Sequence, residues 1–252
     1  MKTEYKRVPA LDKCFSILEL FSKEKKSLGI SEISKTLNFN KSTVFNMVYT
    51  LTDLGVLENG DNKFRFGPRL YVLGKAAGEG SGWIHTVHPY LEEISQKTNL
   101  TAFLGMRSDL EAIILDKADS AMDLRISSEI GMRIPLVAGA HGKVLLSQLP
   151  DAKIEKVLQQ NVLKRFTPLS CVTRKKYKEM VKKAGEDGIA IDKEEYIEGV
   201  RALAVPLNVN RKVLQVAIWA VGLKGQLKDE VIPSYSNLLK EIAKKIEDRF
   251  AS

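Results

Sequence analysis

The sequence predicts an α+β chain in two unequal parts. Three observations carry this: helical periodicities near the N-terminus closed by a turn-and-strand signal, a glycine-punctuated stretch near residue 80, and a longer remainder mixing strand and helix patterns. A length of 252 residues suits two domains, each with enough chain for its own core. The expected divisions are 1–67, a linker helix and hinge at 68–82, and a second domain at 83–252.

Residues 10–22 place Leu11, Cys14 or Phe15, Leu18 and Phe21 at three- and four-residue intervals, one face of a helix, and Pro9 suits its entry. After a polar stretch, Ile30, Ile33 and Leu37 define a short second helix whose outer face Ser31 and Ser34 keep small and polar. Asn38-Phe-Asn40 supplies a turn and an Asn N-cap for a third helix, with Val44, Met47, Val48, Leu51 and Leu54 inward and Gly55 stopping it. That leaves Lys41, Ser42, Thr43, Phe45, Asn46 and Tyr49 outward. Val56-Leu-Glu58, the turn Asn59-Gly-Asp-Asn62 and Lys63-Phe-Arg-Phe66 predict a hairpin, Asn-Gly being the strongest two-residue turn signal. Lys63 and Arg65 form its cationic face, while Phe64 and Phe66 pack inward.

This order of elements is that of a winged helix-turn-helix. Short hydroxyl and amide side chains at the front of a recognition helix reach base edges, and cations on a wing hold flanking phosphates. The DNA-binding candidates are therefore Ser31, Lys41, Ser42, Thr43, Phe45, Asn46, Tyr49, Lys63 and Arg65. The net charge of +8 is biased the same way: residues 1–75 carry 13 Lys+Arg against 8 Asp+Glu, or +5, leaving +3 for the other 177. Three short helices with a hairpin also build protein-protein modules, so a winged-helix interaction module without DNA binding is the alternative.

In the second domain, Ile84, Val87, Leu91 and Ile94 share a helical register over 83–97. Short apolar runs at 101–107, 111–117 and 122–127 predict a hairpin-like series of strands. Further strands are expected near 188–193, 201–209 and 212–221, and helices near 141–148, 151–159, 173–185 and 227–249, giving an antiparallel sheet with helices packed on it. No run reaches the ~18 apolar residues of a membrane span, and the start leads into an amphipathic segment, so a cytoplasmic chain is expected. Cys14 and Cys171 stand far apart, outside any CxxC pattern. A hydrolase triad of Cys171, His141 and Asp192 lacks any nucleophile signature, and a metal site from His85, His88 and His141 is thin, because His85-x-x-His88 shares a helix face but lacks a clear third and fourth ligand. No catalytic residue, metal or cofactor is expected.

The residues resemble the IclR family of bacterial regulators over nearly the whole chain. The matching stretches are Leu28-Gly-Ile-Ser-Glu-Ile-Ser-Lys, Lys41-Ser-Thr-Val, Leu51-Thr-Asp-Leu-Gly and Phe64-Arg-Phe-Gly-Pro-Arg-Leu. The second domain adds Gly131-Met-Arg-Ile-Pro135, Gly142-Lys143, Asp187-Gly-Ile-Ala-Ile-Asp192, Glu194-Glu195 and Gly199-Val-Arg. Asn46 departs from the Arg that family members usually carry. The resemblance implies a GAF- or PAS-like effector-binding domain, operator DNA and a small-molecule effector as partners, and a homodimer or homotetramer with contacts through helix one and the hinge. Carried over by motif, the effector pocket is Ala140, His141, Asp192, Ala202, Trp219 and Val221, with Ile126 and Ile134 as walls. Family members that bind small keto or hydroxy acids tend to place a Cys and two Ser where this chain has Ala202, Trp219 and Val221. An apolar or aromatic acid is expected instead. Core packing for Trp219, helix capping for His141 and a structural ion pair for Arg201 are the alternatives.

Overall fold

The computed structural model describes residues 6, 8–24, 26–80, 82–209 and 214–251, and at 77–80 the backbone alone. They fall into two compact units, Met1–Gly82 and Trp83–Ser252.

The first unit runs α1 (Pro9–Glu24), α2 (Ile30–Leu37), α3 (Lys41–Asp53), β1 (Leu57–Gly60), β2 (Lys63–Phe66) and α4 (Pro68–Gly80). Ile17, Phe21, Ile33, Val44, Val48, Leu57 and Phe64 form its core. On α1 the buried stripe is not the one expected. Leu11 and Phe15 are 59% and 65% exposed, while Ile17, Leu20 and Phe21 are buried. The helix is apolar on two sides, and periodicity ranks neither. Ser34, expected on the outer face of α2, is half-buried and donates its hydroxyl to the Phe39 carbonyl at 2.6 Å, tying down the turn before α3. Asn40 occupies the N-cap, but its side chain makes no cap hydrogen bond. Leu54 lies past the end of α3 and is half exposed, because the chain reverses at Gly55 (φ 69°), whose amide and that of Val56 return to the Thr52 and Leu51 carbonyls.

In the hairpin, Gly60 pairs with Lys63, so of the expected turn Asn59–Asn62 only Asp61-Asn62 form the loop, while Asn59 and Gly60 continue β1. Both loop residues have positive φ, 51° and 59°, which Asp and Asn tolerate and a right-twisted hairpin requires. This register sets Phe64 inside, where Leu28 exchanges both backbone hydrogen bonds with it. Phe66, expected inside, is 42% exposed and leans on the Phe21 ring at 5.9 Å.

The second unit runs α5 (Trp83–Thr98), β3 (Thr101–Ser108), β4 (Glu111–Ala118), β5 (Arg133–Pro135), α6 (Gly139–Ser147), α7 (Asp151–Gln160), α8 (Arg174–Asp187), β6 (Ala190–Lys193), β7 (Val200–Leu207), β8 (Val216–Leu223) and α9 (Ile232–Ala251). Its strands form one antiparallel sheet in the order β5-β4-β3-β8-β7-β6. Side-chain alternation divides the sheet between two cores. Leu104, Leu203, Val205 and Ile218 pack with α5 and α9, whereas Phe103, Ala202, Ala204 and Trp219 pack with α6, α7 and α8. The pleat breaks once in β4: Leu104 pairs with Asp116 but Gly105 with Ile114, leaving Leu115 without a partner. Ile114 therefore faces the α6 side and Ala118 the α5 side, where Asp116 meets His88 Nδ1 at 2.9 Å.

The strand expected at 122–127 does not form. Met122 and Leu124 are 47% and 72% exposed, and the β4 edge they would need is occupied by β5. Helix α6 begins two residues before its expected start and α9 five after it, at Gly139 and Ile232. Residue 81 of the expected hinge and 212–213 of the expected last strand lie outside the described residues. Among the described residues no helix is long and apolar enough to cross a membrane.

Candidate functional site

Two places in the molecule gather the candidate residues, one in each unit. In the first, α3 turns Val44, Val48 and Leu51 into the core, so Lys41, Ser42, Phe45 and Asn46 are exposed on the other side, and Thr43 and Tyr49 are half-buried. Tyr49 is held from both sides, with ring centroids 4.5 Å from Phe45 and 5.5 Å, edge-on, from Phe64. Ser31, Phe45 and Tyr49 line one cleft with Ile30 and Asn62; periodicity marks Ile30 only as an inward position of α2 and turn chemistry marks Asn62 only as a hairpin residue. Both wing cations are exposed. Arg65, however, already has a partner in Glu58 across the hairpin at 3.0 Å. Glu32 accepts the Gly29 amide at 2.7 Å, which with Lys63 and Lys26 nearby holds its carboxyl below the usual range.

In the second unit a cavity of about 70 Å³ opens on the α6 side of the sheet. Register builds it. Asp192, Ala202 and Val221 are successive cross-strand partners over β6, β7 and β8, and Ala204, Trp219 and Phe103 follow one row along. The small Ala204 and Gly105 leave room for the Trp219 indole, and a Cβ on Gly105 would overlap that ring and sit 2.7 Å from the Ile113 carbonyl. Phe103 stacks on Trp219 at 5.8 Å, and the His141 ring lies 5.5 Å from the same indole. Of the eight effector candidates, Ile126, Ile134, His141, Asp192, Ala202, Trp219 and Val221 line this cavity. Ala140 does not; it lies in the first turn of α6, fully buried in the core.

The cavity also takes in Phe103, Ile114, Ser128, Tyr196, Ile197 and Val200. Phe103 and Ile114 were legible as inward positions of predicted strands. Tyr196 and Ile197 come from the β6–β7 loop, for which no periodicity exists. That loop is tied down by Thr167 and Ser170, whose hydroxyls donate to the Glu194 and Glu195 carbonyls at 2.7 Å each. Its deepest anchor is the buried Lys143 ammonium, which donates to the Glu195 carboxylate and to the Ile191 carbonyl. Gly142 precedes it because any Cβ there would overlap the Leu136 carbonyl.

Two titratable groups form the polar end. His141 Nε2 donates to the Pro135 carbonyl at 3.1 Å, which makes its Nδ1 an acceptor in the neutral ring. Burial pulls its pKa down to about 4, so the ring is uncharged at neutral pH. Burial pushes Asp192 the other way, up to about 6, against the opposing hydrogen bond from the Glu195 amide. Cys171 donates to the Thr173 carbonyl, His141 Nε2 to the Pro135 carbonyl, and His88 pairs with Asp116, so each of these three side chains is directed to a partner outside the triad and metal candidates. Arg201, too, faces away from the cavity, pairing with Glu194 and Asp229.

A helix-turn-helix unit followed by a sheet with its own apolar cavity is the architecture of a bacterial transcriptional regulator. Residues 10–61 match the IclR helix-turn-helix domain and residues 79–248 the C-terminal domain of the bacterial transcriptional regulator IclR. The chain belongs to the IclR family. It is 28% identical to the transcriptional regulator XynR of Escherichia coli strain K12 over 236 residues, covering 93% of this chain and 94% of that one. The regulator KdgR of Dickeya chrysanthemi is 31% identical over 202 residues, 79% of this chain and 66% of its own length. Among solved structures, the IclR regulator of Alicyclobacillus acidocaldarius superposes with a TM-score of 0.79 at 24% identity, covering 97% of this chain and 100% of that one. An IclR homologue of Microbacterium hydrocarbonoxydans, complexed with 4-hydroxybenzoate, does so with a TM-score of 0.74 at 22% identity, covering 96% and 100%.

Proposed function

We propose that this chain is a ligand-responsive regulator that acts in the cytoplasm, binds operator DNA as a dimer or dimer of dimers, and takes a small apolar or aromatic acid as effector. The unit at 1–67 reads DNA, 68–82 transmits, and 83–252 senses. The observation that carries the reading is the cavity, whose walls are Phe103, Ile114, Ile134, Val200 and Trp219 and whose polar end is a neutral His141 beside Asp192. A ring between Trp219 and the isoleucines would bury apolar area. The 4-hydroxybenzoate held by the Microbacterium homologue supports the same ligand class.

Effector and operator are coupled by linkage. An effector that prefers one arrangement of the dimer shifts DNA affinity by its preference alone, typically ~1–3 kcal/mol. A panel of aromatic acids, with pyruvate and glyoxylate, titrated against Trp emission tests the effector class; saturation by the two small acids and by no aromatic one would overturn it. Mobility shift of DNA flanking the gene tests the operator role. Specific, salt-sensitive retardation is expected, and its absence leaves the winged helix as a protein-binding module.

A further inference from the structure

We infer that Phe45 and Asn46 read two adjacent A·T pairs in the major groove, the Phe45 ring against a thymine methyl and the Asn46 amide on N6 and N7 of the neighbouring adenine. The inference rests on the reading of α3 as the helix that meets DNA, and adds which bases it selects.

Three observations point there. First, the side chains available exclude the commonest guanine contact. Reading guanine through O6 and N7 takes a Lys or Arg, yet from Ser42 to Asn62 the sequence contains neither. The single cation of α3, Lys41, stands at its first position, where backbone amides already favour phosphate. Second, Phe45 is 49% exposed but not loose. Its ring rests on Tyr49, and Tyr49 rests on Phe64, itself 1% exposed. An apolar ring braced from behind and open in front matches the one apolar group that a base pair presents in the major groove, the thymine methyl.

Third, Asn46 is exposed, and its side-chain amide makes no hydrogen bond among the described residues; only its backbone carbonyl is used, by the Thr50 hydroxyl at 2.7 Å. A free amide presents one donor and one acceptor side by side, the complement of adenine N7 and N6. Phe45 and Asn46 are both exposed and stand about 1.5 Å apart along the α3 axis, less than one base-pair step, so their side chains reach neighbouring pairs.

The test is selection of duplexes from a randomised pool by the full-length chain, then fluorescence anisotropy on the recovered site with uracil replacing thymine one position at a time. Adjacent A·T pairs should recur in each half-site. One thymine-to-uracil change should weaken binding by about three- to fivefold, the worth of a buried methyl. Phe45→Ala should bind thymine and uracil sites alike, and Asn46→Ala should lose about five- to a hundredfold at the neighbouring adenine. The uracil series on the unaltered chain decides the matter even if a variant fails to fold. Half-sites built on G·C, or a full thymine preference retained by Phe45→Ala, would overturn the inference while leaving DNA binding intact. Recovery of no preferred sequence at all would overturn the DNA-reading role of α3 and this inference together.

Discussion

The Asp192 carboxylate accepts the backbone amide of Glu195 at 2.6 Å, so the residue that closes the polar end of the cavity also positions the loop above it. Glu195 is in turn held by Lys143, whose side chain is 3% exposed. Removing one member of such a pair leaves a buried charge alone. Lys143→Met is expected to destabilise the second unit by about 3–5 kcal/mol, and Lys143→Met with Glu195→Leu to recover much of that. Both Trp residues of the chain, Trp83 and Trp219, belong to this unit, so urea unfolding followed by Trp emission reads it selectively. Equal loss in the single and double variants would show that the pair does not hold the loop.

Effector affinity should depend on pH through Asp192. With its pKa raised to about 6 by burial, the group is largely charged at pH 7.5 and largely neutral at pH 5. An anionic ligand binds better beside the neutral form. Affinity for an aromatic acid is expected to rise as pH falls through about 6, and Asp192→Asn to flatten the profile. Calorimetric titration at several pH values checks both.

Stability should respond to acid in two opposite ways. His141 is depressed from 6.5 to about 4, so its contribution is present above 6.5 and lost as pH falls towards 4. Asp192 is raised from 3.8 to about 6, so its contribution is fully present below 3.8 and lost as pH rises through 6. Between about 4 and 6 the two offset each other. His141→Asn should make the second unit gain stability on acidification relative to the parent, and Asp192→Asn should steepen its acid loss. Unfolding midpoints at pH 7, 5.5 and 4.5, by about the same urea protocol, separate the two signs.

Gly105→Ala drives a methyl into the Trp219 ring and against the Ile113 carbonyl. The expected cost is about 1–3 kcal/mol from overpacking, with loss of aromatic-acid binding because the indole must move. Near-ultraviolet circular dichroism of the Trp bands follows that movement directly. Unchanged bands with intact binding would mean that the strand yields instead.

On the wing, Lys63 is exposed and Arg65 is shared with Glu58. Lys63→Ala should lower DNA affinity and reduce the slope of log K against log salt by about one. Glu58→Gln frees Arg65 and removes a negative charge, so affinity should rise with a steeper slope. Anisotropy over a salt series measures both.

How much of this was legible beforehand follows from what periodicity encodes. The helices of the first unit and most strands of the second carry their period in the sequence, and α3 exposes nearly the residues its pattern left outward. What failed is local competition between equivalent signals. Asn59-Gly60 and Asp61-Asn62 are both acceptable turns, and the burial of Phe64 decides between them. Met122, Leu124 and Ile126 alternate like a strand, yet the β4 edge beside them is already taken by β5. The cavity was legible only in part for a similar reason: its strand residues follow alternation, whereas Tyr196 and Ile197 arrive by a loop whose course depends on Thr167, Ser170 and Lys143.

The unpaired Leu115 gives β4 two addresses along its length. Uniform pleating would send Asp116 to the side of Ile114, opposite Phe103, and install a second carboxylate in the chamber that Asp192 serves alone. Two acids in that confined space would repel each other and any anionic guest. One surplus residue thus keeps the chamber lightly charged and delivers the spare acid to His88 on the far side.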